Sequence, residues 1–439
     1  MFIPALLGEV FWSAAILSAL GATLSVILQI DMNISVIISA LIAVFYTFSG
    51  GLYAVAYTDV VQLFCIFIGL WVCVPAALLQ NKTADISRNA ADWIGTIGGW
   101  KETWLWIDCM LLLICGGIPW QVYFQRVLSS KTSAGAQKLS FVAGVGCIMM
   151  AIPPALIGAI AKNTDWTLTD YSPWNNGTKV QSIPADKRSM VVPIVFQYLT
   201  PKWVSFIGLG AVSAAVMSSA DSSVLSAASM FAHNIWKLTI RPHASESEVI
   251  IVMRVAIVLV GIMATVMALT IQSIYGLWYL CADLVYVILF PQLICVVYMK
   301  DSNTYGSLAG YGIGLLLRLS GGEPLLNFPA FVHFPMYEDG VQYFPFRTTA
   351  MLSTLATLWS VSKLSRWLFL SGRLSNEWDF LGCVVNIGSE RIPLPSDVSF
   401  NVSSETLALT GKTNPAPNYS ETSSLQPYSN DQNYSSTRQ

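Results

Sequence analysis

Charged residues are scarce in this 439-residue chain: Asp, Glu, Lys and Arg together make up 11% of it, against about 25% in ordinary soluble proteins. Hydrophobic residues make up 54%, and the mean hydropathy is +0.58. So few charged residues cannot cover the surface of a soluble protein of this size. The composition excludes a soluble globular enzyme, a disordered protein and a secreted disulfide scaffold, and it predicts an all-α polytopic membrane protein.

Several common functional signatures are absent from the sequence. The net charge is −2 and no basic block occurs, so nucleic acid is not an expected partner. The eight cysteines form no close CxxC pair, which argues against a zinc site or a disulfide framework. The sequence has three isolated histidines, and it contains no HExxH, no Ser/His/Asp set and no glycine-rich phosphate loop. We therefore expect no enzymatic activity, no cofactor and no metal other than sodium.

Long apolar runs dominate the first 370 residues, and each is near the length of about 20 residues that crosses a bilayer. The ten predicted spans are 2–30, 34–50, 55–79, 104–124, 138–161, 200–234, 249–271, 274–299, 304–319 and 346–370. We expect residues 1–370 to form a transmembrane domain.

The polar connectors give a predicted orientation. Asn81 and Asn176 begin Asn-x-Thr glycosylation patterns, which have meaning only on the lumenal or extracellular side. Strict alternation of ten spans places both on the same side. It also places residues 371–439 in the cytoplasm, where the Ser-, Asn- and Pro-rich sequence from about 397 predicts a largely disordered tail.

The fourth span contains Gly116-Gly117-Ile118-Pro119-Trp120. Two glycines free the backbone and the proline removes a helical hydrogen bond. Unwound backbone at membrane depth is tolerated where it lines a cavity, and secondary transporters bind substrate at such broken helices. A plain proline kink is the alternative interpretation.

The sixth span is rich in hydroxyl groups. Ser218, Ser219, Ser222 and Ser223 lie within two helical turns, together with Asp221. Hard oxygen ligands suit a small cation such as Na⁺, and an intramembrane carboxylate suggests a functional site. The alternative is serines bonded to their own helix, with Asp221 capping a neighbouring one.

Aromatic residues inside the spans form a third feature. Trp12, Trp120 and Trp278 lie away from the expected interfacial belts, and Tyr275 and Tyr279 flank Trp278. A quaternary ammonium has no N–H to donate and is held by the faces of aromatic rings. An aromatic box would therefore suit a choline-like cation, whereas lipid or core packing would explain each tryptophan singly.

Three further acids lie in or at the edges of spans. Glu9 is one turn from Trp12, Asp59 opens a span and can cap its N-terminus, and Asp283 lies five residues after Trp278. We expect Asp283 to contribute to a polar cavity. Capping or a buried ion pair is the alternative for each acid.

These segments resemble a known family. GGLYAVAYTDVVQ at 50–62 looks like a signature of the sodium/solute symporter family. The segments 116–130, 208–227, 275–280 and 321–324 are similar to the branch of this family that takes up choline. The resemblance extends from residue 2 to about 370.

The resemblance implies a fold of thirteen spans built on an inverted repeat of five plus five helices. It also implies that this chain begins at the family's fourth span, so that about ten of the thirteen are present. The three preceding spans, with the first core helix, would be absent, and part of the sodium site with them.

The resemblance also assigns residues to sites. The Ala215 carbonyl, Ser218 and Ser219 match the family's sodium-binding helix. Trp12, Trp120 and Trp278 match the residues that would enclose the choline ammonium. Asp221, Ser222 and Asp283 are candidates for a further ion contact or for polar support.

The implied function is Na⁺-coupled, Cl⁻-dependent choline symport by alternating access, which supplies acetylcholine synthesis. The implied location is the plasma membrane and synaptic vesicles of presynaptic terminals, and homo-oligomers are a further expectation. Two alternatives stay open: a symporter for another small solute such as proline or betaine, and a non-transporting form that regulates a full-length copy.

Overall fold

The computed structural model describes residues 1–87, 90–171, 174–175, 178–179, 181–271 and 273–386. All of them belong to one compact unit, Met1–Asn401. Within these residues the secondary structure is almost entirely helical.

Thirteen α-helices are formed by the described residues. They are α1 Phe2–Leu28, α2 Met32–Leu78, α3 Ala90–Ile94, α4 Trp100–Gly116, α5 Gln121–Leu128, α6 Ser133–Lys162, α7 Val191–Leu199, α8 Lys202–Met230, α9 Glu246–Thr270, α10 Ile274–Leu284, α11 Phe290–Tyr298, α12 Thr304–Ser320 and α13 Phe346–Leu370. Helix α8 continues as a π-helix over Phe231–Ile240, and Val285–Leu289 joins α10 to α11 in the same form. Two antiparallel hairpins pair β1 Trp174–Asn175 with β2 Thr178–Lys179, and β3 Tyr337–Glu338 with β4 Val341–Gln342.

Helices lie at all ten positions that the hydropathy pattern predicts. Eight helical segments of the described chain are long and apolar enough to cross a membrane. Helices α12 and α13 are not among the eight: α12 has 17 residues, and α13, which is rich in serine and threonine, is less apolar than the others.

The second and third predicted spans are the two arms of the 47-residue helix α2. The Tyr46 hydroxyl donates a hydrogen bond to Thr58 Oγ1 at 2.9 Å, although twelve residues of straight helix would rise about 18 Å. The helix must therefore bend sharply between these residues, where Gly50 and Gly51 relax the backbone. The bend brings both arms against α8.

Small residues allow that close approach. A Cβ added at Gly69 of α2 would lie 2.4 Å from Ala211 Cβ of α8, and one at Gly208 of α8 would lie 2.4 Å from the Cys73 sulfur of α2. Helices without a hydrophobic driving force between them associate through such close contacts. The second arm of α2 therefore packs closely against α8.

The predicted break in the fourth span is confirmed. Helix α4 ends at Gly116, and α5 begins at Gln121 after a non-helical turn. Trp120 adopts an extended backbone with ψ of 127°, as is usual for the residue just before a helix begins, and Pro119 before it has no N–H with which to continue the hydrogen bonds of α4. The break turns the chain where a tryptophan can enter the bundle.

A carboxylate anchors the chain segment that follows α13. Asp379 accepts hydrogen bonds from the backbone N–H groups of Val384, Val385 and Asn386 at 2.8–3.1 Å and from the Tyr305 hydroxyl at 2.9 Å. Although burial alone would raise it, these bonds hold the pKa of Asp379 well below its usual range. The segment is thereby tied to the first turn of α12.

Helices α12 and α13 pack through a stripe of glycines at four-residue spacing. A Cβ added at Gly306 would lie 2.5 Å from the Leu358 carbonyl oxygen, and one at Gly314 would lie 2.2 Å from Thr354 Oγ1. Gly312, on the same helix, has open space around its missing Cβ. The backbones of the two helices thus approach too closely for any side chain on one face of α12.

We predict that Gly306→Ala lowers stability by about 1–3 kcal/mol, the usual cost of overpacking, because the added methyl group meets backbone. The measurement is the thermal midpoint of the detergent-solubilised protein. Gly312→Ala is the matched control and should leave the midpoint unchanged. Equal midpoints for the two variants would contradict the close packing of α12 on α13.

Candidate functional site

A cavity of about 580 Å³ lies where the broken helix meets α1, α2, α6, α8 and α10. This volume is within the usual range of small-molecule sites. The predicted site residues that line it are Trp12, Trp120, Trp278, Ser218, Ser219 and Ser222. Side chains more than 260 positions apart in the sequence therefore meet at one cavity.

The tryptophans form aromatic walls of this cavity. Trp12 and Trp120 meet edge to face, with ring centroids 6.2 Å apart and planes at 79°. Trp278 lines the same cavity and contacts the Tyr275 ring at 5.7 Å. Aromatic faces turned toward a common space attract an organic cation and accept no hydrogen bond from it.

Local sequence explains how two of these rings reach the cavity. Trp120 follows the break at Pro119, and Trp12 lies one turn beyond Gly8. A Cβ at Gly8 would lie 3.2 Å from the Cys281 carbonyl oxygen and 3.8 Å from the Trp120 ring. The missing side chain at Gly8 therefore lets α1 approach α10 and Trp120.

The hydroxyl side of the cavity is organised by Asp59. Its carboxylate accepts hydrogen bonds from Ser218 Oγ at 2.5 Å and from the Arg126 guanidinium at 3.1 Å. Arg126 also donates to Ser222 Oγ at 3.3 Å, and Ser219 lines the same cavity. Since Ser218 donates its proton to Asp59, the lone pairs of its oxygen stay available to a cation.

Asp221 lies behind this wall and does not line the cavity. It is fully buried, and its Oδ1 accepts a hydrogen bond from Thr47 at 2.9 Å. Its other carboxylate oxygen has no partner in the described part of the protein. Thr47 lies on the first arm of α2 and Asp59 on the second, so one turn of α8 bonds to both arms.

Glu9 is buried against the same helix. Its carboxylate contacts the Ser223 hydroxyl, and Ser13 donates to Ser223 Oγ at 3.1 Å. None of the described residues forms an ion pair with Glu9. The contact joins α1, which carries Trp12, to α8, which carries Ser219.

Asp283 does not contribute to this cavity, contrary to the expectation from the sequence. It contacts Arg318 of α12 and lies in a group of buried charges with Asp108, Glu323 and Arg347. The alternative of a buried ion pair is thus the correct one for Asp283. The tertiary fold decides this, because Arg318 lies 35 positions away in the sequence.

The predicted cap at Asp59 is also wrong. Helix α2 is continuous from Met32 to Leu78, so Asp59 has helix on both sides and no free helix end to cap.

Ala215 lies one turn before Ser219 on α8 but outside the cavity wall. Asn81 is exposed in a turn after α2, and Asn176 lies outside the described residues.

The cavity side chains that reasoning from the sequence missed include Tyr123 and Arg126 on α5. The signal was present, because α5 directly follows the break and carries a single basic residue toward its end. Arg126 places a positive charge beside Asp59, so the charge of that carboxylate is offset within the cavity wall.

The family model described as "Sodium:solute symporter family" matches residues 6–314. High-affinity choline transporter 1 of Caenorhabditis elegans is 78% identical over 444 residues, which cover 100% of this chain and 77% of that relative. The Drosophila melanogaster and Homo sapiens proteins of that name are 60% and 53% identical. The match to the Drosophila melanogaster protein covers 90% of this chain and 64% of that relative, and the match to the Homo sapiens protein covers 89% of this chain and 68% of that relative.

The chain thus spans about two thirds to three quarters of the length of these relatives. A solved structure of a Na⁺-coupled sialic acid symporter, in a substrate-bound outward-open state, is similar in fold. Its TM-score is 0.61 at 16% identity, with 82% of this chain and 74% of that chain covered.

We predict that Thr47→Val costs about 1–3 kcal/mol of unfolding free energy, because it leaves the buried Asp221 carboxylate without its hydrogen-bond donor. The measurement is unfolding by sodium dodecyl sulfate in mixed micelles. The control is Thr265→Val, since the Thr265 hydroxyl donates only to Gly261 of its own helix. Equal losses in both variants would show that the bond from Thr47 to Asp221 contributes nothing.

Proposed function

Because the chain belongs to the sodium:solute symporter family, we propose that it carries out Na⁺-coupled symport of choline. The observation that carries the proposal is the convergence of Trp12, Trp120 and Trp278 with Ser218 and Ser219 on one cavity. The first three residues suit an organic cation and the serines suit a small hard cation. The names of its relatives supply choline as the substrate.

Choline would bind at the tryptophan walls. Its quaternary ammonium offers no N–H, so the ring faces attract it by electrostatics and exclude water from it. Trp12 and Trp120 form an edge-to-face pair on one side, and Trp278 adds a third ring from α10. The choline hydroxyl would be free to bond to the polar side of the cavity.

Sodium would bind at the hydroxyl side, through Ser218, Ser219 and the Ala215 carbonyl. The Asp59 carboxylate adds negative charge there, and Arg126 offsets it when no sodium is bound. Ser222 and Asp221 would act as polar support. Since Ser219 is one turn from Ser223, which contacts Glu9 of α1, a change at the sodium site can reach Trp12 through direct contacts.

Alternating access is the mechanism that we propose for this coupling. Sodium must bind one conformation of the cavity better than the other, and choline must prefer the same one.

Chloride dependence is proposed from the family resemblance alone, and no chloride residues are assigned. We further propose a plasma-membrane and presynaptic location, glycosylation at Asn81 and Asn176, and a cytoplasmic segment 371–439 after a membrane domain 1–370.

We predict Na⁺-dependent uptake of radiolabelled choline in cells that express the protein from the complete coding sequence of its gene. Replacing Na⁺ by Li⁺ or N-methylglucamine should abolish uptake, because the coupling ion supplies the driving force. Surface biotinylation controls for expression, and excess unlabelled proline or betaine tests the other solutes. Uptake that proline or betaine blocks more strongly than choline, or no uptake despite surface expression, would contradict the proposal.

We also predict that Trp120→Ala and Trp278→Ala each raise the choline concentration for half-maximal uptake by about 3- to 30-fold, the worth of one cation–π contact. The phenylalanine variants should keep part of the affinity, since a ring face remains. Trp203→Ala is the control, because Trp203 is 64% exposed on α8 and outside the cavity. Unchanged half-saturation in both cavity variants would exclude the aromatic site.

A further inference from the structure

Five buried charged side chains form a second polar centre, separate from the cavity. They come from α4, α10, α12, the connector that follows α12, and α13. We call them the charge cluster: Asp108, Asp283, Arg318, Glu323 and Arg347. Each is less than 9% exposed, and three acids against two arginines leave one negative charge in excess.

Arg318 is the firmly held arginine of the cluster. It contacts Asp283, donates to Glu323 Oε2 at 2.6 Å and donates to the Gly322 carbonyl at 2.9 Å. These contacts satisfy its guanidinium within α10, α12 and the connector. Arg318 therefore anchors the connector and does not reach α4.

Arg347 is the arginine that reaches both α4 and α10. Its nitrogens lie 3.4 Å from Glu323, 3.7 Å from Asp283 and 3.9 Å from Asp108. Its guanidinium lies 5.0 Å from the centre of the Tyr279 ring, on α10. Arg347 thus attracts carboxylates of two helices at once while it binds neither tightly, and its Nε has no hydrogen-bond partner.

The next residue of α13 strengthens the link to α4. Thr348 donates its backbone N–H and its hydroxyl to Asp108 Oδ1, at 2.8 and 2.5 Å, and Tyr286 donates to the Thr348 hydroxyl at 3.1 Å. The first turn of α13 therefore bridges α4 and the chain just after α10. Since Thr348 supplies neutral donors, Arg347 is the side chain there that supplies positive charge.

Helices α4 and α10 are the two that place Trp120 and Trp278 at the cavity. They touch at Gly116 and Ala282, where a Cβ on Gly116 would lie 2.6 Å from the Ala282 carbonyl oxygen. Asp283 directly follows this contact, and the break before Trp120 directly follows Gly116. A shift of α4 along α10 would therefore change where the two tryptophans face.

We propose that Arg347 is a positioning residue for the aromatic cavity: its charge holds α4 against α10 through Asp108 and Asp283. The inference rests on the proposed choline function for its transport readout. It assigns to Arg347 an effect on choline affinity although the side chain is not part of the cavity wall. Loss of its charge removes the attraction that links the two helices, in the single and in the double variant tested below, and in the single variant it also leaves two buried carboxylates that repel each other.

The test compares Arg347→Met with Arg347→Lys and with the double variant Asp108→Asn/Arg347→Met. The double variant removes one acid with the arginine and restores the net charge of the cluster, which protects folding. Arg366→Met is the matched control on the same helix, because Arg366 is half exposed and pairs with the partly exposed Asp301 at 2.6 Å.

Two quantities are measured: the choline concentration for half-maximal uptake at saturating Na⁺, and amide hydrogen exchange of residues 104–116 and 274–284 in purified protein. In the double variant we expect half-saturation to rise about tenfold, the scale of a displaced binding group, together with faster exchange in both segments. Arg347→Lys should give intermediate values and Arg366→Met wild-type values.

Near-wild-type affinity and exchange in the double variant would overturn the proposal, as would a fall in surface expression with unchanged affinity. A fall in maximal uptake alone, with slow exchange retained in both helices, would also overturn it. If the wild-type protein takes up no choline, the proposed function fails on that result, whereas the exchange measurement still tests whether Arg347 holds the two helices.

Discussion

Charged and hydroxyl side chains inside an apolar helical bundle lose their hydration, and each must find partners on neighbouring helices. In this protein the partners are distant in sequence: Asp221 bonds to Thr47, Asp59 to Ser218, and Glu9 to Ser223. Each bond joins α8 to a different helix or arm. The polar groups therefore decide how the apolar helices are arranged around α8.

The same constraint separates two polar centres with different roles. At the cavity, Asp59 and Arg126 leave hydroxyl oxygens and aromatic faces open to solutes. In the charge cluster the acids and arginines largely face one another, and Glu323 and Arg347 also line a second cavity of about 630 Å³. Helices α4 and α10 take part in both centres, so the packing of the cluster can influence the shape of the cavity.

The sequence predicted the features that depend on local chemistry. Hydropathy located the helices, and Gly116, Gly117 and Pro119 located the break, because backbone freedom and a missing N–H act within a few residues. Partners across the bundle were beyond such reasoning. Asp59 was expected to cap a helix and instead bonds to α8, and Asp283 was expected at the cavity and instead meets Arg318, since only the tertiary fold brings these groups together.

We propose that the two sides of one cavity bind choline and sodium together. The most direct measurement is equilibrium binding of radiolabelled choline to the purified protein in nanodiscs across a sodium titration, with the reciprocal sodium titration across choline. Linkage requires sodium to raise the affinity for choline by the same factor by which choline raises the affinity for sodium. We predict that these two increases in affinity are equal and well above onefold. Choline binding whose affinity does not change with sodium concentration would contradict the proposed coupling.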